Sequence, residues 1–151
     1  MTFRLRSEKI CKRRNCLISI TRSMIGNGTE LNELLYSFSE GLITKYGINY
    51  YVKNIKIKGR KFKLGNCFIS AAELSRDLGY KYVEGIAISK TSGQVFCHAW
   101  NIDENGTPVD VTFKDAENYD YFGIELPFTQ IFQIGKMNGG IWYCALPYLK
   151  K

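Results

Sequence analysis

Residues 64–79 read LGNCFISAAELSRDLG, and this segment carries the clearest helical pattern in the chain. Its apolar residues recur at the spacing of one helical face, and Gly79 is a typical stop for a helix. The pattern therefore predicts an amphipathic helix with Cys67 at its amino terminus. The apolar positions of that face are Phe68, Ala71, Ala72, Leu74 and Leu78.

Three segments rich in β-branched and aromatic residues follow this helix, at positions 82–89, 94–102 and 107–113. The first two are separated by Lys-Thr-Ser-Gly and the last two by Asp-Glu-Asn-Gly, both of which are turn sequences. Strands joined by short turns favour an antiparallel meander. We therefore predict an α+β fold in which a helix packs on an antiparallel sheet.

The chain before this helix has weaker patterns. Residues 1–25 show no clear periodicity, whereas helical spacing of leucines predicts a second amphipathic helix, which begins at Thr29 and stops at Gly47. Residues 48–58 then read as one strand that ends at Gly59. Near the other end, residues 139–143 predict a turn and a final strand.

Cys67 is the first residue with chemical potential. A thiol at a helix amino terminus lies at the positive end of the helix dipole, which favours the thiolate over the thiol. Free backbone N–H groups at the same place can stabilise the oxyanion that forms when sulfur attacks an acyl carbon. The position therefore suits a nucleophile.

His98 is the single histidine of the chain. Its strand position predicts that it shares a face with Phe96 and Trp100, while the side chains between them point the other way. Asp110 would lie directly opposite His98 if Ile102 pairs with Gly106. That register needs a three-residue loop, opened by an aspartate and closed by a left-handed glycine.

Four segments together resemble the core of the transglutaminase-like superfamily, which shares a papain-like Cys-His-Asp arrangement. They are Gly65-Asn66-Cys67, Tyr82-Val83-Glu84-Gly85, His98-Ala99-Trp100-Asn101 and Gly106-Thr107-Pro108-Val109-Asp110-Val111-Thr112. The order and flanking residues agree over about residues 64–113. The resemblance implies that Cys67 is the nucleophile, that His98 is the base and later the acid, and that Asp110 orients the imidazole.

The resemblance implies thiol-dependent acyl transfer on amide bonds through a thioester, hence a cysteine hydrolase (protease or deamidase) or an acyltransferase of the transglutaminase type. The predicted substrate is a peptide or protein amide, and no cofactor or metal is expected. As candidates for substrate binding or for the oxyanion we take Asn66, Trp100 and Tyr121. Asn54 is a weaker candidate for the oxyanion donor.

Charge is unevenly distributed along the 151 residues, whose net charge is +7. Residues 1–63 hold 14 Lys and Arg against 4 acids, and residues 64–151 hold 7 against 10. The basic half would attract phosphates or an acidic protein, including an acidic substrate of the enzyme. For the run of cations at 53–63, alternation with apolar residues favours a solvated face of an edge strand.

Size and composition predict one domain over 1–151, with a basic amino-terminal region (1–63) and a catalytic-type core (64–151). Five cysteines, no signal-peptide core and no long apolar run favour a cytoplasmic protein with reduced thiols. Two other functional classes stay open. One is a catalytically inactive scaffold that binds a protein partner, and the other is a basic module that binds nucleic acid.

Overall fold

The computed structural model describes residues 42–137 and Ala145. The strands of this part are β1 (Ile48–Tyr50), β2 (Lys53–Asn54), β3 (Lys81–Ser89), β4 (Val95–Ile102), β5 (Pro108–Asp110) and β6 (Tyr119–Leu126). The α-helices are α1 (Leu42–Tyr46), α2 (Cys67–Leu78) and α3 (Phe128–Met137), with one turn of 3-10 helix at Ala116–Asn118. None of the helices described is long and apolar enough to cross a membrane.

The six strands form one curled sheet in the order β1-β6-β3-β4-β5-β2. Neighbouring strands are antiparallel except β2 and β5, which are parallel. The predicted mixture of helices and a largely antiparallel sheet is therefore confirmed. The predicted antiparallel arrangement has one exception, because the short edge strand β2 runs parallel to β5.

Helix α2 begins at Cys67 and ends before Gly79, whose φ of 70° is left-handed, as the sequence predicts. It packs on β3 and β4, and the small side chains of its buried face allow a close approach. Asn101 on β4 joins the two layers, since its amide donates to the carbonyl of Ala71 at 2.9 Å and to that of Lys81 at 3.2 Å. This clamp positions the helix that carries Cys67.

The prediction of one strand over 48–58 is wrong. β1 pairs with β6 at one edge of the sheet, whereas β2 pairs with β5 at the opposite edge. Local β-propensity predicts extended backbone but not which partner an extended segment meets, so the division arises from tertiary pairing. Gly59 lies in the following turn with φ of 79°.

The hairpin between β4 and β5 differs from its predicted register by two residues. Ile102 pairs with Pro108, so five residues rather than three connect the strands. The carboxylate of Asp103 accepts hydrogen bonds from the backbone N–H groups of Asn105 and Thr107, which stabilises the longer loop. Gly106 is left-handed, with φ of 80°, as expected. Because the shift is even, His98 and Asp110 keep the same face.

The sheet separates two apolar clusters. One lies between the sheet and α2 and includes Cys97 and Ala99, while the other, on the face of His98, includes Trp100 and Tyr121. The predicted alternation along β4 is therefore confirmed. Helix α1 ends before Gly47, as predicted. The expected helix start at Thr29, the segment 1–25 and the strand at 139–143 lie outside the described residues.

Candidate active site

His98 and Asp110 form a buried pair. Nε2 of His98 lies 2.7 Å from Oδ2 of Asp110, and the two residues are 0% and 1% exposed. An ionised carboxylate only accepts hydrogen bonds, so Nε2 carries a proton and donates a hydrogen bond to Asp110. This contact fixes the tautomer and leaves Nδ1 as the nitrogen available for proton transfer whenever the ring is neutral.

The Asp110 carboxylate accepts five hydrogen bonds. Oδ1 accepts from the N–H and hydroxyl of Thr112, both at 2.8 Å, and from the N–H of Phe113 at 3.2 Å. Oδ2 accepts from the Tyr121 hydroxyl at 2.6 Å as well as from His98. Burial alone would raise the pKa of Asp110, but the charge of His98 and these donors outweigh it and lower that pKa.

Local sequence explains the three hydrogen bonds to Oδ1 of Asp110, but not the bond from Tyr121 to Oδ2. Strand β5 ends at Asp110, and the chain bends so that the backbone of the next three residues folds around the carboxylate. An aspartate that accepts from N–H groups two and three residues later is a common turn motif, and a threonine at the second position adds a hydroxyl donor. The Tyr121 hydroxyl comes from β6 instead, which lies on the far side of β3 and β4.

Aromatic rings hold the imidazole in place. Phe113 stacks on His98 with ring centres 4.1 Å apart, and Trp100 and Tyr121 lie at 6.2 and 5.9 Å. These rings exclude water and restrict rotation of the imidazole, so the contact with Asp110 is preserved. In a site of low dielectric, each charge interaction of His98 is also stronger.

Cys67 lies at the first position of α2. Asn66 precedes it without a side-chain capping hydrogen bond, and the first backbone bond of the helix is from the Ser70 N–H to the Asn66 carbonyl. The N–H groups of the first turn therefore have no acceptor within the helix. They are available to an anion, either the thiolate or an oxyanion at the attacked carbon.

Cys67 also acts on His98. Burial alone would lower the pKa of His98, but interactions with the side chains of Asp110 and Cys67 outweigh burial and raise it to about 10. Nδ1 of His98 is buried and has no partner with full hydrogen-bond geometry among the described residues. The side chain of Cys67 is close enough to the imidazole to stabilise its cation.

The predicted accessory residues lie in different places. Asn66 is exposed next to Cys67, whereas Trp100 and Tyr121 are each 1% exposed. Tyr121 binds Asp110, and Trp100 flanks His98 with an indole N–H that has no partner among the described residues. The amide of Asn54 donates to the backbone carbonyl of Asp110. Contact of these residues with substrate stays a prediction. Trp100, Tyr121 and Asn54 instead contact His98 or Asp110, so their geometry favours a role in holding that pair in place.

Sequence reasoning missed the contributions of Phe113 and Tyr121 to the pair. Phe113 follows Asp110 by three residues in a predicted strand, where no periodicity distinguishes a ring that stacks on His98 from an ordinary core residue. Tyr121 is noticeable only as an aromatic residue near the site in sequence, and its hydroxyl meets Asp110 only once β6 is placed in the sheet. Thr112 had a local signal, since it stands two residues after the aspartate.

Comparisons with known proteins complete the description of the site. Neither a protein-family model, nor a curated protein, nor a solved structure matches the chain. Within residues 42–137 and Ala145, no group of three or more His, Cys, Asp or Glu side chains is arranged to hold a metal ion.

Proposed function

We propose that this protein is a thiol-dependent acyl-transfer enzyme of the transglutaminase-like type, which acts on amide bonds with Cys67, His98 and Asp110. One observation carries the proposal. A buried histidine is bonded through Nε2 to a carboxylate, and its pKa is raised by that carboxylate together with the thiol of Cys67 at the start of a helix. A nucleophile, a base and a group that orients the base are the parts that such chemistry requires.

In the first half-reaction, Cys67 attacks the carbonyl carbon of an amide as the thiolate. A C–S bond forms, and the carbonyl electrons move to oxygen, where the N–H groups at the start of α2 can stabilise the negative charge. The C–N bond then breaks, and the departing amine takes the proton that His98 holds on Nδ1. The products are a thioester on Cys67 and a free amine.

In the second half-reaction, neutral His98 removes a proton from an incoming nucleophile through Nδ1. Water would give a carboxylic acid and free Cys67, which is hydrolysis or deamidation. An amine would give a new amide, which is cross-linking. Asp110 stays ionised through both steps, because its hydrogen bonds stabilise the carboxylate.

A partner-binding scaffold is the second candidate function, and one observation favours it. Cys67 is 2% exposed and His98 is fully buried, so a substrate could reach the sulfur only after a local rearrangement. If these three residues never become accessible to a substrate, the function would depend on the surface of the fold instead. Reactivity of the Cys67 thiol separates these two functions.

The test is site-resolved alkylation by iodoacetamide as a function of pH, read by mass spectrometry on native protein. We expect Cys67 to be labelled fast well below pH 8 and His98→Ala to slow that labelling, because the imidazolium stabilises the thiolate. Cys97 is the matched control, since it is also buried and outside any disulfide but lies within β4 rather than at a helix start. Equal and slow labelling of both thiols would favour the scaffold.

A further inference from the structure

A loop of high positive charge connects the two sides of the candidate active site. We define the basic loop as residues 53–63. No acidic residue occurs between Glu40 and Glu73 in the sequence, so the loop contains no compensating charge. Its cations are all exposed, and they are Lys53, Lys56, Lys58, Arg60, Lys61 and Lys63.

The start of the basic loop is bonded to Asp110. Asn54 pairs with Asp110 across the parallel strands, and its amide donates to the Asp110 carbonyl at 2.8 Å. The N–H of Ile55 donates to the same carbonyl at 3.2 Å. Lys53 and Lys56 therefore flank the strand that holds the carboxylate of the triad.

The other end of the loop leads to Cys67. The carbonyl of Lys63 accepts the N–H of Asn66 at 3.1 Å in the turn that opens α2. Between the two ends, Arg60 forms an ion pair at 3.0 Å with Asp77 in the last turn of α2. The loop thus runs from the strand of Asp110, past the end of α2, to the amino terminus of the same helix.

Protection of an edge strand does not explain these charges. Only Lys53 lies in β2, and the remaining cations follow it in a segment without strand structure. Among the described residues, Arg60 is the one cation of the loop that has an ion-pair partner. Among the described residues, the lysines of the loop therefore add positive potential next to the site without an ion-pair partner.

We propose that the basic loop binds acidic side chains that neighbour the target amide, so the preferred substrates are acidic polypeptide segments. This inference rests on the proposed function. An acidic polypeptide is favoured over nucleic acid because the loop leads to the thiol of Cys67, whose chemistry needs an acyl carbon, which a polypeptide supplies. Lys56 follows Ile55, whose N–H donates to Asp110, and the carbonyl of Lys63 accepts the N–H of Asn66 beside Cys67, so these two lysines are chosen for the test.

Binding can be tested without turnover, with the full chain carrying Cys67→Ser. The probes are a fluorescent peptide of alternating Glu and Gly and the matched Gln and Gly peptide, measured by anisotropy. We expect the Glu peptide to bind about tenfold more tightly at low ionic strength, with the advantage falling as salt rises. The double variant Lys56→Gln/Lys63→Gln should weaken it by about threefold to tenfold.

The matched control is Lys45→Gln/Lys136→Gln, which removes two exposed lysines outside the loop that lie over aromatic rings. It should leave the affinity for the Glu peptide unchanged. Equal binding of the two peptides, or equal loss in both double variants, overturns the inference. Tighter binding of a single-stranded or duplex oligonucleotide than of the Glu peptide, weakened by the loop variant, also overturns it and favours a nucleic-acid partner.

Alkylation of Cys67 separates failure of this inference from failure of the proposed function. If Cys67 reacts fast but the peptides bind equally, the enzyme stands and acidic selectivity is lost. If Cys67 reacts slowly, the proposed function fails. The inferred preference for acidic substrates then fails as well, because it rests on that function. Turnover of matched acidic and neutral peptide amides by the wild type should show the same preference in kcat/KM.

Discussion

Tyr121 and His98 donate to the same oxygen of Asp110, at 2.6 and 2.7 Å. The tyrosine comes from β6 and the histidine from β4, with β3 between the two strands. Each hydrogen bond partly neutralises the negative charge on Oδ2, so each one weakens the hydrogen bond from the other donor. The Tyr121 hydroxyl therefore moderates the interaction between the imidazole and the carboxylate.

Tyr121→Phe should raise the pKa of both Asp110 and His98. The carboxylate loses a donor that stabilises its charge, and Oδ2 becomes a stronger acceptor for the imidazolium. The free energy of unfolding should fall by about 2 kcal/mol, as for a hydrogen bond to a charged group. Because His98 is the single histidine, NMR of 15N-histidine-labelled protein reports its titration without overlap.

Tyr119→Phe is the control for that experiment. Tyr119 lies on the same strand and face, and its ring centre is 6.4 Å from that of Tyr121. Its hydroxyl makes no hydrogen bond to Asp110 among the described contacts. Equal shifts of the His98 signal in both variants would contradict a specific role for Tyr121.

Asp110→Asn should keep the His98 ring in the site but prevent it from acting as the proposed base. The three donors on Oδ1 require an oxygen at that position, so the NH₂ group of the amide would face Nε2 of His98. Nε2 must then accept, which moves the proton of the neutral ring to Nδ1. We expect the rate of acyl transfer to fall by about 10³- to 10⁴-fold.

The tautomer can be read from 15N shifts of His98, and Asp115→Asn in the following exposed turn is the matched control. That control should keep the Nε2–H tautomer and the wild-type rate. An Asp110→Asn protein with an unchanged tautomer would show that the hydrogen bonds of the turn do not orient the residue.

Stability should depend on pH in two windows. The pKa of His98 is raised from 6.5 to about 10, so its contribution is complete below pH 6.5 and is lost as pH rises toward 10. The pKa of Asp110 is lowered from 3.8, so its contribution is present above pH 3.8 and is lost as pH falls through the lowered value. The largest contribution of the pair therefore lies between pH 3.8 and 6.5.

Urea unfolding at several pH values measures this dependence against His98→Gln, which removes the titrating ring. Between pH 7 and 9 the wild type should lose up to about 1.4 kcal/mol per pH unit relative to the variant. Cys67→Ala should reduce that slope, since the side chain of Cys67 contributes to the raised pKa of His98. Parallel curves for the wild type and His98→Gln would contradict the assignment.

Gly123→Ala should destabilise the aromatic side of the site. A Cβ at this position would lie 2.7 Å from the Cη2 atom of Trp100 and 2.6 Å from the carbonyl oxygen of Glu84. The indole would have to move, and we expect a loss of about 1 to 3 kcal/mol in urea unfolding. Gly106→Asn is the control, because its site is open and asparagine tolerates the left-handed backbone.

Local patterns predicted the elements that carry the site. The spacing of Phe68, Ala71 and Leu74 and the stop at Gly79 predicted α2 at its observed bounds, which placed Cys67 at a helix start. Alternation along β4 predicted the face of His98. Both depend on neighbours within a few residues, where helical and strand periodicity act directly.

Registers and distant partners were not predictable in this way. The loop at 103–107 is longer than expected because the side chain of Asp103 bonds two backbone N–H groups, an option that turn statistics do not rank against a shorter loop. The division of 48–58 between two sheet edges depends on β5 and β6, which are more than 50 residues away in sequence.

By itself, the sequence determined the helix that begins at Cys67, the face on which His98 and Asp110 meet, and the concentration of positive charge in the first half of the chain. Only the tertiary structure decided that Tyr121 binds the carboxylate, that Phe113 stacks on the imidazole, and that the start of the basic loop is bonded to Asp110. Periodicity and charge are properties of neighbouring residues. Those three contacts exist only after the curled sheet brings distant strands together.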